Sequence, residues 1–190
     1  MFEGGIRVPG VIEWPARIRK PRRSSMNSVT SDLMPTVCEL VGQALPARPL
    51  DGISLVDLLD GKMTARAKPI AFWSFGSAGR GAQPYIDPEL QKGTTPLVKL
   101  MGGIPTRNFK NDHHPSIIEQ DYSGERVMLD DRYKLLVGKK GEIQLFDLEA
   151  DPAETANLAE SKPLIAEKLQ AQMRAWQTSV LHSLMEKDYE

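Results

Sequence analysis

The sequence predicts an α+β fold, a small antiparallel sheet packed by a long C-terminal helix and preceded by a strand and a helix. Two patterns carry this. Arg126–Leu148 alternates short apolar runs with turn signals at Asp130-Asp131-Arg132 and Gly138-Lys139-Lys140-Gly141, as an antiparallel meander requires. Ile165, Leu169, Met173, Trp176, Val180 and Leu184 then recur at helical spacing. An amphipathic helix beside a small sheet covers one sheet face, which makes the two a unit.

The elements follow in chain order. Ile6–Trp14 is β-branched and apolar and reads as a strand, with Pro9 favouring an edge or a kink. Pro15–Ser28 is basic through Arg17, Arg19, Lys20, Arg22 and Arg23, and reads first as a solvated loop, with an anion patch as the alternative. Ser31–Gly42 reads as a helix. Ser31 or Asp32 is the candidate cap, Pro35 falls in the first turn, and Gly42 is the stop. Its apolar stripe is Leu33, Val37, Leu40, Val41 and Ala44, with Cys38 expected to be a buried, inert thiol. Asp51-Gly52 marks a turn. Ser54 then caps a short helix with Asp57 as its capping-box partner, Leu55, Leu58 and Leu59 inward, and Gly61 at the end. Pro69–Trp73 is a strand expected to join the meander. Ser161 is the expected cap of the last helix, which runs to about Leu184.

Composition bounds the function. The chain has 190 residues, with 24 Lys+Arg against 25 Asp+Glu and a net charge of −1. That balance gives no field to steer nucleic acid or an anionic membrane. No apolar run approaches the roughly 20 residues that span a bilayer. A single Cys excludes a disulfide framework and a thiolate metal cage. Counting Gly and leaving out Tyr, the apolar share is about 47%, ordinary for a globular chain. The first residues lack the basic and apolar regions of a signal peptide. An apolar strand so close to Met1 raises the expectation that polypeptide upstream is missing.

Catalytic patterns are sparse. There is no Gly-x-Ser-x-Gly elbow and no Gly-rich phosphate loop. Asp112-His113-His114 is a ligand-like cluster without a third ligand at recognisable spacing; it reads as a solvated loop, then as a polar substrate contact, and only last as a metal site. His182, on the last helix, is expected to be solvated or partly packed. Asp130 and Asp131 read as turn formers rather than an acid/base pair. Glu3-Gly4-Gly5-Ile6-Arg7-Val8-Pro9 says more, since two glycines permit positive φ and close backbone approach. Ser74–Gly124, rich in Gly, Pro, Asn and Asp, is too long for a neutral connector.

Four segments occur in a distinctive order. The first is Glu3-Gly4-Gly5-Ile6-Arg7-Val8-Pro9, leading to Glu13-Trp14-Pro15. The second is Ser31-Asp32-Leu33-Met34-Pro35-Thr36, and the third Pro49-Leu50-Asp51-Gly52-Ile53-Ser54-Leu55. The last comprises Arg132-Tyr133-Lys134-Leu135, Leu145-Phe146-Asp147-Leu148 and Asp151-Pro152-x-Glu154-x-x-Asn157-Leu158. Together they resemble the C-terminal portion of a type I, formylglycine-dependent sulfatase of the arylsulfatase or N-acetylgalactosamine-6-sulfatase kind. The likeness covers about residues 1–75 and 126–180.

The resemblance implies an organisation. Residues 1–75 would be the end of an alkaline-phosphatase-like catalytic core, their strand and helix belonging to its large mixed α/β sheet. Residues 76–125 would be a variable insertion, and 126–190 the C-terminal subdomain. The motif positions carried over are Glu3, Gly4, Gly5, Arg7, Pro9, Asp51, Gly52, Asp151, Pro152, Glu154 and Asn157. The family's formylglycine arises in a Cys-x-Pro-x-Arg motif, whereas Cys38 is followed by Glu39-Leu40-Val41. Its calcium-binding Asp, Asn and His residues have no counterpart here. Its sulfate-binding Lys precedes Glu-Gly-Gly, where only Met1 and Phe2 stand. Sulfate ester cleavage needs a nucleophile, a cation and an acid for the leaving alcohol, so this chain alone is expected to be inactive. Calcium and formylglycine would belong to the parent enzyme and not to this chain.

The subdomain would close one side of the active-site cleft. Arg80, Tyr85, Arg107, His113 and His114 are the weak candidates for contacts to substrate hydroxyls or sulfates. The chain would then be a sulfatase fragment from a truncated gene or misassigned start, half of a split enzyme paired with the N-terminal portion, or a non-catalytic module binding sulfated glycans through Arg17–Arg23. A bare strand edge would favour self-association. Family members are commonly exported, but nothing in these residues specifies a compartment.

Overall fold

Asp131 sets the first hairpin. It sits at φ 52°, a conformation that Asp tolerates better than most residues. Asp130 and Tyr133 therefore face each other across a tight turn. This is a computed structural model, and it describes residues 2–75, 116–185, 187 and 188. The hairpin joins β2 (Arg126–Asp130) to β3 (Tyr133–Val137), and Gly141, at φ 89°, helps turn the chain into β4 (Ile143–Asp147). β1 (Ile70–Trp73) pairs antiparallel with β2, so the sheet runs in the order β1-β2-β3-β4. The expected meander and its fourth strand are present.

Four α-helices lie among the described residues. They are α1 (Glu3–Ile6), α2 (Leu33–Leu40), α3 (Val56–Leu59) and α4 (Pro163–Leu184). α4 covers one sheet face: Met128, Leu135, Val137 and Leu145 pack with its Ala166, Leu169 and Met173. The opposite face is buried too, through Val127, Leu136 and Phe146, and Phe2 places its ring 6.4 Å from Phe146. Burial on both faces explains why β2 and β3 read as apolar runs rather than as strict alternation.

Several expectations are corrected. Residues 7–14 form no strand, and Glu3–Ile6 is a single helical turn. A strand exists only when its backbone is paired; no described strand lies beside this segment, and Val8 and Val11 are 82% and 91% exposed. The stripe on α2 faces solvent, with Leu33, Val37 and Val41 exposed while Pro35 and Thr36 are buried. Cys38 is half-buried, its Sγ 3.8 Å from Met34 Sδ. In α3 the buried positions are Val56 and Leu59, with Leu55 just before them; Leu58 is half-exposed. The Ser54 hydroxyl accepts from the Val56 N–H at 3.2 Å, and no capping bond from Asp57 completes a box.

α4 also departs in detail. Ser161 does not cap it: its hydroxyl donates to the Leu158 carbonyl at 3.2 Å, and Lys162 takes the cap position ahead of Pro163. The buried line is Ala166, Leu169, Met173, Gln177 and Leu181, while Leu184 is exposed. Gln177 is tolerated there because its amide donates to the Tyr122 carbonyl at 3.2 Å. His182 is exposed.

α2 ends as read. Gly42 lies at φ 69°, the Gln43 N–H reaches the Cys38 carbonyl at 2.8 Å, and the Gly42 N–H reaches Glu39 at 3.2 Å, a Schellman closure. A Cβ at Gly42 would meet nothing within 4 Å. Gly42→Ala should therefore cost only the strain of a left-handed L residue, about 1–2 kcal/mol, read as a lower urea midpoint with an unchanged slope.

Candidate functional site

Asp32 is where the second and third motifs meet. Its carboxylate is fully buried and accepts from the Val29 N–H at 2.9 Å and the Ile53 N–H at 2.9 Å. Arg66 closes on it with a two-pronged bond, at 2.7 and 2.8 Å. Thr36, one turn along α2, donates its hydroxyl to the Asp32 carbonyl at 2.6 Å and accepts from the Leu55 N–H at 2.9 Å. Asp32 thus ties two separated backbone segments and the Arg66 side chain together instead of capping α2. Gly52 is required between them, because a Cβ there would lie 2.0 Å from the Ser31 carbonyl oxygen. Asp51 looks the other way and accepts the Trp176 indole N–H at 3.0 Å.

The last motif is likewise a set of internal bonds. Lys134 is fully buried in β3 and pairs with Glu154 at 2.6 Å; the two side chains are 0% and 3% exposed. Arg132 holds Asp147 with two bonds, Nε to Oδ1 at 2.8 Å and Nη2 to Oδ2. Asp147 also accepts from Glu149 and Ala150 N–H, both at 3.2 Å. Asp151 opens the turn, accepting from Thr155 and Ala156 N–H at 2.7 and 2.8 Å, with Pro152 exposed after it. Asn157 then accepts from the Leu145 N–H at 2.9 Å, and the Leu158 N–H donates to the Leu145 carbonyl at 2.7 Å. That contact covers part of the outer edge of β4, where an open strand would otherwise invite association.

The first motif is placed differently from its expectation. Gly4 and Gly5 have no positive φ, and among the described residues no atom lies within 4 Å of a built Cβ, so no close approach there uses them. Arg7 and Pro9 are exposed, and Glu3 opens α1. Arg80, Tyr85, Arg107, His113 and His114 lie outside the described residues. The basic run is partly engaged: Arg17 pairs with Asp60 at 2.8 and 2.9 Å, and Arg22 donates to the Leu58 carbonyl at 3.1 Å. Among the described residues no group of three or more His, Cys, Asp and Glu could hold a metal ion.

One cluster escaped the sequence reading. Trp73, Phe75, Tyr122, Arg126, Arg174 and Trp176 gather at the end of the sheet where β1 leaves and β2 enters. Trp73 meets Phe75 at 4.9 Å and Trp176 at 6.1 Å, both edge to face. Arg174 lies 3.1 Å from the Tyr122 ring centroid and grips Glu119 at 2.6 and 2.9 Å. The missing signal was the strand register, which sets Trp73 opposite Arg126.

Charge states follow from these partners. Burial pushes the Asp32 carboxyl up, but the hydrogen bonds from Arg66, Ile53 and Val29 outweigh it and hold it below the usual carboxylate range. The Arg132 hydrogen bond holds Asp147 low in the same way. A depressed native pKa contributes stability that is complete above the unfolded value, about 3.9 for Asp, and is lost as pH falls through the native value. The urea midpoint should therefore drop as pH falls below about 4, and Asp32→Asn should start lower and drop less. Lys134→Met should cost about 3–5 kcal/mol by stranding Glu154, while Lys134→Met with Glu154→Met should recover most of it. Gly52→Ala should cost more than Gly42→Ala in the same assay, because it adds a backbone clash.

No family model matches the chain. Human steryl-sulfatase is 44% identical over 62 residues, 32% of this chain and 11% of that protein. Human arylsulfatase D is 42% identical over 72 residues, 37% of this chain and 12% of its own length. The ulvan-active sulfatase of Formosa agariphila is 26% identical over 179 residues, 90% of this chain and 33% of that one. The chain thus spans about a third or less of these relatives. Among solved structures, the phosphonate monoester hydrolase of Agrobacterium radiobacter aligns at TM-score 0.47 with 23% identity, over 82% of this chain and 26% of its own. A 2-O GAG sulfatase aligns at 0.39 with 24% identity, over 83% and 25%. The chain matches the C-terminal portion of a sulfatase, the family that its ordered motifs resemble.

Proposed function

We propose that this chain serves as the C-terminal scaffold of a formylglycine-dependent sulfatase acting on aryl or carbohydrate sulfate esters, and that it does not turn over such esters alone. One observation carries the reading. Charged residues of its second and last motifs are engaged within the chain: Asp32 with Arg66, Arg132 with Asp147, Lys134 with Glu154. Groups held this way position backbone; they do not attack an ester.

The described residues fit neither of the family's reactive groups. Cys38 lies outside a Cys-x-Pro-x-Arg context, and its sulfur contacts Met34. The carboxylates with resolved partners are committed to N–H groups and cations, which leaves no oxygen cage for calcium. Nucleophile and metal would then come from N-terminal sulfatase polypeptide, within one chain or as a separate partner. Arg80, Tyr85, Arg107, His113 and His114 remain the proposed substrate contacts of the 76–125 insertion. The glycan-module reading has less support, because Arg17 and Arg22 are tied to Asp60 and Leu58.

The purified chain, incubated with 4-methylumbelliferyl sulfate, should release fluorophore no faster than a buffer blank. Turnover that Cys38→Ala abolishes would overturn the proposal. Co-expression with a polypeptide carrying Cys-x-Pro-x-Arg and the calcium ligands should give a soluble complex that does turn over.

A further inference from the structure

Arg126 stands apart among the half-buried arginines of the described residues. Arg17, Arg66, Arg132, Lys134 and Arg174 each hold a carboxylate. Arg126 donates to the Gly124 carbonyl at 2.7 Å, and among the described residues no carboxylate pairs with it. Burial, and then the like charge of Arg174, lower its pKa, though an arginine remains charged at any physiological pH. A guanidinium drawn partly out of water without a counter-ion is costly, and it gains most from an oxyanion that accepts its forked N–H groups.

The surroundings specify more than an anion. Trp73 stands directly opposite Arg126 in the β1–β2 register, so both leave the sheet on the face that α4 covers. The Trp73 indole N–H is taken by the Ser123 carbonyl at 2.7 Å, and that of Trp176 by Asp51 at 3.0 Å. With their polar edges satisfied internally, both half-exposed indoles have only apolar ring surface left for a ligand. The backbone is fixed around them: Gly124 lies at φ 99°, and a Cβ there would stand 2.3 Å from the Ser74 carbonyl oxygen. Glu119 is held by Arg174, and Asp51, which also borders the cluster, is held by Trp176.

From this we infer that the Trp73–Arg126–Trp176 end of the sheet is a subsite for a sulfated sugar unit, with Arg126 gripping the sulfate and the indoles meeting the C–H face of the ring. The inference rests on the sulfatase reading for its ligand class and narrows it from aryl or carbohydrate esters to carbohydrate. It places recognition on the scaffold, outside the 76–125 candidates.

The test uses the full chain with Trp14→Phe, so that tryptophan emission reports only Trp73 and Trp176. Galactose 6-sulfate at low salt should give a saturable change, and galactose should give none over the same range. Arg126→Gln should weaken binding at least tenfold, while Arg126→Lys, which keeps the charge but loses the fork, should fall between. Arg19→Gln with Arg23→Gln should bind like the parent. Unchanged binding in Arg126→Gln would overturn the subsite, and loss in the Arg19/Arg23 variant alone would move it to the basic run. Equal binding of galacturonate, or tighter binding of 4-nitrophenyl sulfate, would overturn the sulfated-sugar assignment. If Arg126→Gln loses cooperative unfolding, backbone amide shifts of the parent decide. Changes confined to residues 73–75, 122–126 and 174–177 support the site, and changes elsewhere overturn it. Binding at this end is read without turnover, so it can fail while the scaffold reading stands, or hold while that reading falls.

Discussion

The Asp32 carboxylate is the constraint on which the first half of the chain depends. Four donated hydrogen bonds converge on a fully buried anion: two from backbone N–H groups on either side of α2, two from a guanidinium more than thirty residues away. Burying a carboxylate costs several kcal/mol unless its lone pairs are filled, and here they are. That requirement dictates the neighbours. The Leu50–Leu55 stretch must pass close enough for its N–H groups to reach Asp32 and Thr36, and only glycine at 52 permits the approach. The cost of leaving Asp32 unpaired selects one arrangement of loops that have little apolar surface to order them.

The same logic runs through the C-terminal half. Lys134 would sit on an outer face in an ordinary meander, but both faces of this sheet are covered, so its ammonium must find an anion inside. Glu154 supplies it from an αL-like position, φ 56°, at the end of a turn that Asp151 organises. Asn157 then ties that turn to the β4 edge. The sequence features that point to sulfatases are thus the bonds that hold the loops on the sheet. The proposed function places reactive chemistry on other polypeptide because these residues are already occupied, and Arg126, opposite Trp73 in the register, donates to the Gly124 carbonyl and pairs with no carboxylate among the described residues.

Much of this was legible before the fold was known. The turn at Asp130–Arg132, the strand at Ile70–Trp73 and the reach of α4 follow from local patterns: a residue tolerant of positive φ, a short apolar and aromatic run, a 3.6-residue period. What failed needed information from far along the chain. Ile6–Trp14 has a strand's composition but no described partner, and pairing is what makes a strand. The stripe of α2 is amphipathic, yet the buried side is the polar one, because Asp32 and Thr36 draw it inward. Arg66 carries no local signal, since its partner lies 34 residues away in another element. Trp73 and Arg126 are more than fifty positions apart, and only the register of β1 on β2 makes them neighbours.

The central claim, that the motif charges hold the fold together through ion pairs inside the chain, is tested most directly by a double-mutant cycle on Asp32 and Arg66 with urea unfolding. Asp32→Ala and Arg66→Ala should each be strongly destabilising. The double variant should be little worse than either, a coupling of about 2–3 kcal/mol or more. Losses that simply add, with coupling near zero, would contradict the account.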